Sequence, residues 1–443
     1  MCKDLNKMKY HPLFFFSFII YLFTFPVSCF AAHDPDNDNP HNWQFGSQRE
    51  ALAPLHYVDE EIPYGEQATL VLAGNGKSYI NGQWYRVVPV EPGFHYQFNT
   101  HFLTYRVEEP SRCVLARVLW QDEEGNQIGP AEYPAFFHDE NLGEWKEFHQ
   151  IYQVPEDAVS ARLELIYRWD EDGIVHFGGT TLQKTDPPAL RKVRLATIHH
   201  RPVDTRSSAE NLEQFKKLII EAAGQQADIV CLPEGITLVG TPLNYVSASE
   251  PVPGPTTRFL GELAKKYHLY IVGGILEREG EVVYNTAILL DRNGELAGKY
   301  RKLSLPREEI EGGVTPGNSL PVFDTDFGRI GIMICWDVTF PETAGALVKK
   351  GAEVIFLPIW GGNLILARAR AIENQVYLVS STYDMKSAIF DLEGEIVEEA
   401  TEDNPVVVTE VDLSQQKLWP WLGDFKNRIP KEMPSRKAVS LEY

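Results

Sequence analysis

Residues 327–337 read Phe327-Gly328-Arg329-Ile330-Gly331-Ile332-Met333-Ile334-Cys335-Trp336-Asp337 and continue through Val338-Thr339-Phe340 into Pro341-Glu342. An apolar run ending at a cysteine reads as a buried strand, and Pro341 opens a helix carried by Glu342 to Gly351. A cysteine at a strand-to-helix turn meets incoming substrate beside backbone N–H groups able to hold an oxyanion, which is the geometry a nucleophile needs. The commonest fate of a free cysteine is burial as a small hydrophobe. Cys231, in mid-strand, is assigned to that fate.

Upstream, Asp228-Ile229-Val230-Cys231-Leu232-Pro233-Glu234-Gly235 has the continuous apolar run of a strand buried on both faces. Pro233 cannot continue a central ladder, so Glu234 sits where the strand stops, near other strand ends. Taken alone, Glu234 would be a surface loop acid. The segment Gly298-Lys299-Tyr300-Arg301-Lys302-Leu303-Ser304 is cationic, which by itself means a solvated face. From Val193 onward strands alternate with amphipathic helices, the pattern of a layered α/β domain. The clearest helix runs from Ala209 to Gln225, with Leu212, Phe215, Leu218, Ile219 and Ala222 on one face and Ser207-Ser208 placed to cap it.

Before the Pro187-Pro188 pair the pattern differs. Residues 42–187 show short apolar-polar alternations such as ATLVLAG, CVLARVLWQ and ARLELIYRW, separated by turn signals including Asn75-Gly76, Pro92-Gly93 and Asp172-Gly173. About seven strands at that spacing argue for an all-β sandwich. The stretches VPVEPGFHYQF, ARVLWQDEEGNQIG and ARLELIYRWDEDGIVHFGGTTL resemble the jelly-roll modules attached to carbohydrate-active and other exported enzymes. Trp84, Trp120, Trp145 and Trp169 could form a platform for sugar rings, although strand tryptophans more often belong to a core.

The N-terminus has a basic start, the apolar run Leu13 to Phe25 and small residues near Ala31, which together describe a signal peptide over residues 1–31. The run is shorter than the roughly 20 residues of a spanning helix. An uncleaved membrane anchor is the other reading, and Cys29 loosely matches a lipoprotein box. Residues 32–41, rich in Asp, Asn and Pro, read as a linker. The expected location is therefore outside the cytoplasm, periplasmic or extracellular. The whole chain of 443 residues carries 41 basic and 62 acidic side chains, a net charge of −21, which argues against a nucleic-acid partner. Its five cysteines show no zinc-site spacing and are too few for a disulfide scaffold, so no metal is expected.

Together, Glu234 in DIVCLPEG, Lys302 in GKYRKLSLP and Cys335 in GRIGIMICWDVTFPE resemble the Glu-Lys-Cys triad of the carbon-nitrogen hydrolase (nitrilase) superfamily, in the same order. EGGVTPGNSLPVFDTDFG, GAEVIFLPIWGG and ARARAIENQVYLVSS support the resemblance, which runs from about Arg194 to Asp412. It implies a four-layer α-β-β-α sandwich within residues 191–443, a C-terminal extension draped along it or along a partner subunit, and a cysteine thioester intermediate. No cofactor is implied. The expected substrate is a small amide, N-carbamoyl compound or nitrile. A further glutamate usually precedes the TPG-like turn, and Glu308, Glu309 and Glu311 compete for that place, with Glu311 favoured over Glu309. Ser304 stands where the family often has histidine. Pocket candidates are Trp336, Trp360, Asn363 and Tyr383. A homo-oligomer is implied by the family and by the apolar Leu418-Trp419-Pro420-Trp421-Leu422-Gly423 cluster. Two competing readings are a carbohydrate- or wall-binding protein with an idle hydrolase domain, and a glycosidase using the acids at 308–311. The second fits poorly, because neighbouring acids in one loop do not face each other across a sugar.

Overall fold

The computed structural model describes residues 39–137 and 144–434. The signal peptide, most of the linker and the last residues to Tyr443 lie outside the described residues.

Residues 44–185 form eleven strands: β1 (Gln44–Gly46), β2 (Leu55–Tyr64), β3 (Gln67–Ala73), β4 (Asn81–Pro89), β5 (His95–Tyr105), β6 (Val114–Gln121), β7 (Gln127–Glu132), β8 (Ala135–Phe137), β9 (Lys146–Gln153), β10 (Ser160–Arg168) and β11 (Ile174–Thr185). A single-turn helix, α1 (Pro110–Cys113), precedes β6. The strands make two antiparallel sheets in the orders β1-β4-β10-β6-β7 and β2-β3-β11-β5-β9-β8. Tyr96, Phe98, Thr100 and Phe102 alternate inward along β5, and together with Trp84, Val118 and Leu163 from the other sheet most of them enter one shared core. The four tryptophans do not share a platform. Trp84 and Trp120 are buried in this core, Trp145 meets the edge of Tyr64, and Trp169 lies under the Arg168 guanidinium. Their alternation phase points the first two inward, where their area contributes most to stability.

The second domain contains two six-stranded sheets. The first runs β16 (Leu296–Arg301), β15 (Val282–Leu290), β14 (Tyr270–Glu279), β13 (Ile229–Cys231), β12 (Lys192–Ile198) and β23 (Val406–Asp412). The second runs β17 (Val322–Asp324), β18 (Arg329–Ile332), β19 (Val354–Pro358), β20 (Tyr377–Ser381), β21 (Ser387–Phe390) and β22 (Ile396–Ala400). Helices α2 (Ser208–Gly224) and α3 (Pro255–Tyr267) pack on the outer face of the first sheet. Helices α5 (Pro341–Lys349) and α6 (Leu364–Asn374) do the same on the second. A third apolar cluster, including Leu195, Val272, Ile332 and Phe356, fills the space between the sheets. The helices form as the periodicity predicts: Ser207 caps α2 by accepting from the Glu210 N–H, and Leu212, Phe215, Ile219 and Ala222 are buried. Each such large side chain contributes about 1.5–3 kcal/mol by burial. Parallel pairing of β12, β13 and β14, and of β18, β19 and β20, gathers the ends of strands from both sheets at one edge.

The tail departs from expectation. Strands β24 (Leu418–Trp419) and β25 (Gly423–Asp424) and helix α7 (Phe425–Glu432) leave the α/β layers and lie on the N-terminal module. Lys431 Nζ donates to the Pro134 carbonyl (2.7 Å), Arg112 Nη1 donates to the Pro434 carbonyl (2.7 Å), and Arg168 donates to the Lys431 carbonyl. On the other side, the Lys426 N–H donates to Gln375 Oε1 (3.1 Å). The apolar cluster read as a subunit contact is thus partly used within the chain, with Leu422 buried and Trp419 against Phe425.

Candidate active site

Glu234 lies just past β13, on a turn whose next residue, Gly235, has φ of +60°. Gly274 on β14 permits its approach, since a Cβ there would stand 2.6 Å from the Glu234 Cα. The carboxylate is buried. Its Oε1 accepts from Lys302 Nζ (2.9 Å) and Asn285 Nδ2 (2.7 Å), and its Oε2 accepts from the Trp360 N–H (2.9 Å). Lys302 follows β16 and is 0% exposed. Its ammonium also donates to Glu309 Oε1 at 2.5 Å. Glu309 belongs to the short helix α4 (Arg307–Glu311) and also accepts from Asn285 Nδ2 (3.1 Å), while its Oε2 is buried without a partner.

Cys335 follows β18 and sits at φ of +43°, a left-handed conformation that costs a non-glycine residue roughly 1–3 kcal/mol. Its Sγ lies 3.8 Å from the Gly361 carbonyl. Burial, then the neighbouring Glu234 charge, push the thiol up to about 12, while the Lys302 ammonium pulls it down. At neutral pH the resting group is therefore S–H, placed beside a carboxylate. Burial works against the Lys302 charge, but Glu234, Cys335 and Glu309 outweigh it and raise the ammonium above its ordinary value. Burial and the charge of Glu234 raise Glu309, against the pull of Lys302. The cluster is a fully desolvated cation between two carboxylates, next to a thiol. It can abstract a proton from sulfur, return one to a leaving group and hold a developing oxyanion.

The family profile of Carbon-nitrogen hydrolase matches residues 192–420. The chain belongs to that family. The match takes in Glu234, Lys302, Glu309 and Cys335 and begins after the two-sheet module. An omega-amidase of Danio rerio is 30% identical over 268 residues, covering 54% of this chain and 94% of that protein. A nitrilase of Pyrococcus abyssi is 37% identical over 229 residues, covering 46% of this chain and 84% of its own length. A Saccharomyces cerevisiae nitrilase-superfamily structure aligns with 57% of this chain and 96% of its own, at 26% identity and a TM-score of 0.46.

In this carbon-nitrogen hydrolase the structure brings together Glu234, Lys302 and Cys335. Of the three competing acids, Glu309 faces Lys302. Glu311, favoured from the sequence, is instead exposed and paired with Arg307 at 2.6 Å. Asn363 is exposed, and its Oδ1 caps α6 by accepting from the Ile365 N–H (2.9 Å). Trp360 stays at the site, with its ring beside Gly235 and edge-on to Tyr383, whose hydroxyl donates to the Glu234 carbonyl (2.9 Å). Trp336 is 44% exposed beside Cys335. Sequence reasoning missed Asn285, which spans both carboxylates. Its signal was a lone amide in the apolar strand VVYNTAILL. It also missed Tyr245, which packs on Gly312 and is raised by burial and by Glu309 and Glu234.

Proposed function

We propose that the chain hydrolyses a non-peptide carbon-nitrogen bond in a small molecule through a Cys335 thioester. The observation that carries this reading is the solvent-free Lys302 ammonium held by Glu234 and Glu309 beside the strained Cys335 turn. Glu234 takes the thiol proton as Cys335 Sγ attacks the substrate carbonyl carbon. Lys302 and the Trp336 N–H, in the first turn of a 3-10 helix, stabilise the oxyanion. Glu234 then gives its proton to the departing nitrogen, releasing ammonia or an amine and leaving the acyl group on sulfur. Water deprotonated by Glu234 attacks the thioester, and the acid leaves as the thiol is restored. Glu309 takes the place of the auxiliary acid, keeping Lys302 oriented toward the oxyanion. Trp336, Trp360 and Tyr383 form the pocket wall.

An amide is the first substrate class to test, since relatives named omega-amidase align over nearly their full length. N-carbamoyl compounds and nitriles come next. We read the residue 42–187 module as an accessory sandwich of jelly-roll kind and the N-terminus as an export signal. Self-association is read onto α5 and α6, where Ile365 (72% exposed), Ile372 and Phe340 present apolar area to solvent. The rival reading, an idle hydrolase domain on a wall-binding protein, is disfavoured by the complete set of buried polar groups, which are costly to retain without use.

Ammonia release from amides, N-carbamoyl compounds and nitriles tests the proposal. Turnover of one class that vanishes in Cys335→Ala, with an adduct on Cys335 in quenched wild type, is the expected result. Turnover surviving in Cys335→Ala would sink it.

A further inference from the structure

The three candidate catalytic groups do not come from one sheet. Glu234 and Lys302 follow strands of the first sheet, whereas Cys335 follows a strand of the second. Ladder hydrogen bonds fix register within each sheet. The apolar side chains between the sheets hold them together without direction, and the directional cross-ties from Thr197 to the Ser380 carbonyl, from Ser381 to the Ile198 carbonyl and from the Trp360 N–H to Glu234 join other strand ends than those of β16 and β18. A thiol and an ammonium that must meet within a few tenths of an ångström need a directional tie between those strand ends.

One buried side chain supplies such a tie. Asp337, two residues after Cys335, is 0% exposed. Its Oδ2 accepts from the Ile334 N–H (3.0 Å), immediately before the cysteine, and from the Tyr300 hydroxyl (2.7 Å) on β16. Its Oδ1 accepts from the Ser304 N–H (2.9 Å), two residues past Lys302. The Tyr300 hydroxyl in turn accepts from the Leu303 N–H (3.2 Å). The Asp337 backbone closes the same turn, with its N–H donating to the Ile334 carbonyl and its carbonyl accepting from the Phe340 N–H, both at 3.0 Å.

We propose that Asp337 is a positioning residue whose carboxylate, with the Tyr300 hydroxyl, pins the strained Cys335 turn to the backbone around Lys302 and so sets the distance between thiol and ammonium. A left-handed cysteine persists only where its surroundings over-determine it, and Asp337 constrains both flanks of the turn. Three donors satisfy the buried charge, and an apolar side chain in its place would leave the Ile334 and Ser304 N–H groups and the Tyr300 hydroxyl without this acceptor. What an apolar residue cannot do is grip backbone N–H groups from two sheets. Burial raises the Asp337 carboxyl above its ordinary value, and the donors from Ile334, Tyr300 and Ser304 oppose that rise.

This inference rests on the proposed function, and its test works without a substrate. Iodoacetamide alkylation of Cys335, followed by mass spectrometry as a rate at fixed pH, reports how well Lys302 supports the thiolate. In Asp337→Asn the new amide can serve one backbone N–H but turns its own N–H groups toward the other, so one tie is lost. The alkylation rate at fixed pH should fall about tenfold, the equivalent of one pKa unit, and kcat should fall about 100-fold with KM within about threefold. Tyr300→Phe leaves Asp337 on both backbone partners and should give a smaller fall in alkylation rate and a loss of about tenfold in kcat, which keeps the test available should Asp337→Asn fail to fold. A lowered melting temperature with an unchanged alkylation rate in either folded variant would reduce Asp337 to a structural role and overturn the proposal. If wild type turns over nothing, the hydrolase reading fails while the alkylation arm still decides this one.

Discussion

The N-terminal module and the α/β domain each bury a carboxylate against cations, and they do it in opposite senses. In the module, Glu164 accepts from Arg117 and from Arg162 Nε (2.8 Å), one acid facing two guanidiniums that each keep 27% of their side-chain surface in water. In the α/β domain, Lys302 faces two acids, and the three side chains retain 0%, 5% and 8%. The first arrangement lets solvent absorb the surplus charge. The second leaves a surplus negative charge in a dry site, where desolvation costs several kcal/mol per ion. A buried ion cluster that is balanced or wetted reads as an anchor between strands. One that is dry, unbalanced and has a carboxylate oxygen to spare reads as a place where protons move.

The largest expected effect breaks that contrast directly. Lys302→Met removes the cation and leaves Glu234 and Glu309 buried against each other, which should cost about 3–5 kcal/mol in urea unfolding and lower turnover by about 10³-fold or more. Glu164→Gln leaves two guanidiniums that water already reaches, so its cost should be on the order of 1–2 kcal/mol with turnover unchanged. Equal destabilisation by the two substitutions would mean that exposure does not separate the clusters.

Local rules placed Glu234 and Cys335 at strand ends, which Pro233 and Pro341 punctuate, but taken singly they made Glu234 a surface acid and Lys302 part of a solvated face, and it was the resemblance of three motifs in order that joined them. The choice between Glu309 and Glu311 was not legible, because residues two apart on a five-residue helix face opposite sides and too little periodicity exists to set its phase. Asn285 was hidden for another reason: an amide in a buried strand announces a partner without saying which one. The tail was misplaced because its docking depends on contacts nearly 300 residues away in sequence, such as Lys431 with Pro134. Apolar content near Leu418 showed that the segment must be covered, not by what.

That docking sharpens the comparison, since it makes the two domains partners. Every candidate catalytic residue lies after Pro187-Pro188, so a chain starting at residue 191 should keep kcat within about threefold of full length. It should nevertheless lose several degrees in melting temperature and gain light scattering, because the faces of β25 and α7 that meet Pro130 and Pro134 become exposed. Ending that chain at residue 413 should restore its solubility. Loss of turnover in the short chain would mean that the module shapes the site as well as covering the tail.

The smallest expected effect concerns pH at the same junction. Burial lowers Lys431 to about 7, with Asp424 opposing, and burial together with Asp424 raises Glu132 to about 7. The signs follow from proton counts. Between pH 4.5 and 7 the docked state holds a proton on Glu132 that the free state has released, so docking weakens as pH rises. Between pH 7 and 10.5 the free state holds a proton on Lys431 that the docked state has released, so docking strengthens as pH rises. Tail docking should therefore be weakest near pH 7, read as the fastest limited proteolysis within residues 413–434 when protease rates are normalised on an unfolded peptide of the same sequence. Lys431→Met should flatten the alkaline limb and leave the acidic one, while Glu132→Gln should do the reverse. Neither should change turnover, because the junction holds none of the groups around Cys335. A monotonic profile in the wild type would mean that Glu132 and Lys431 neutralise each other as a pair instead of titrating separately.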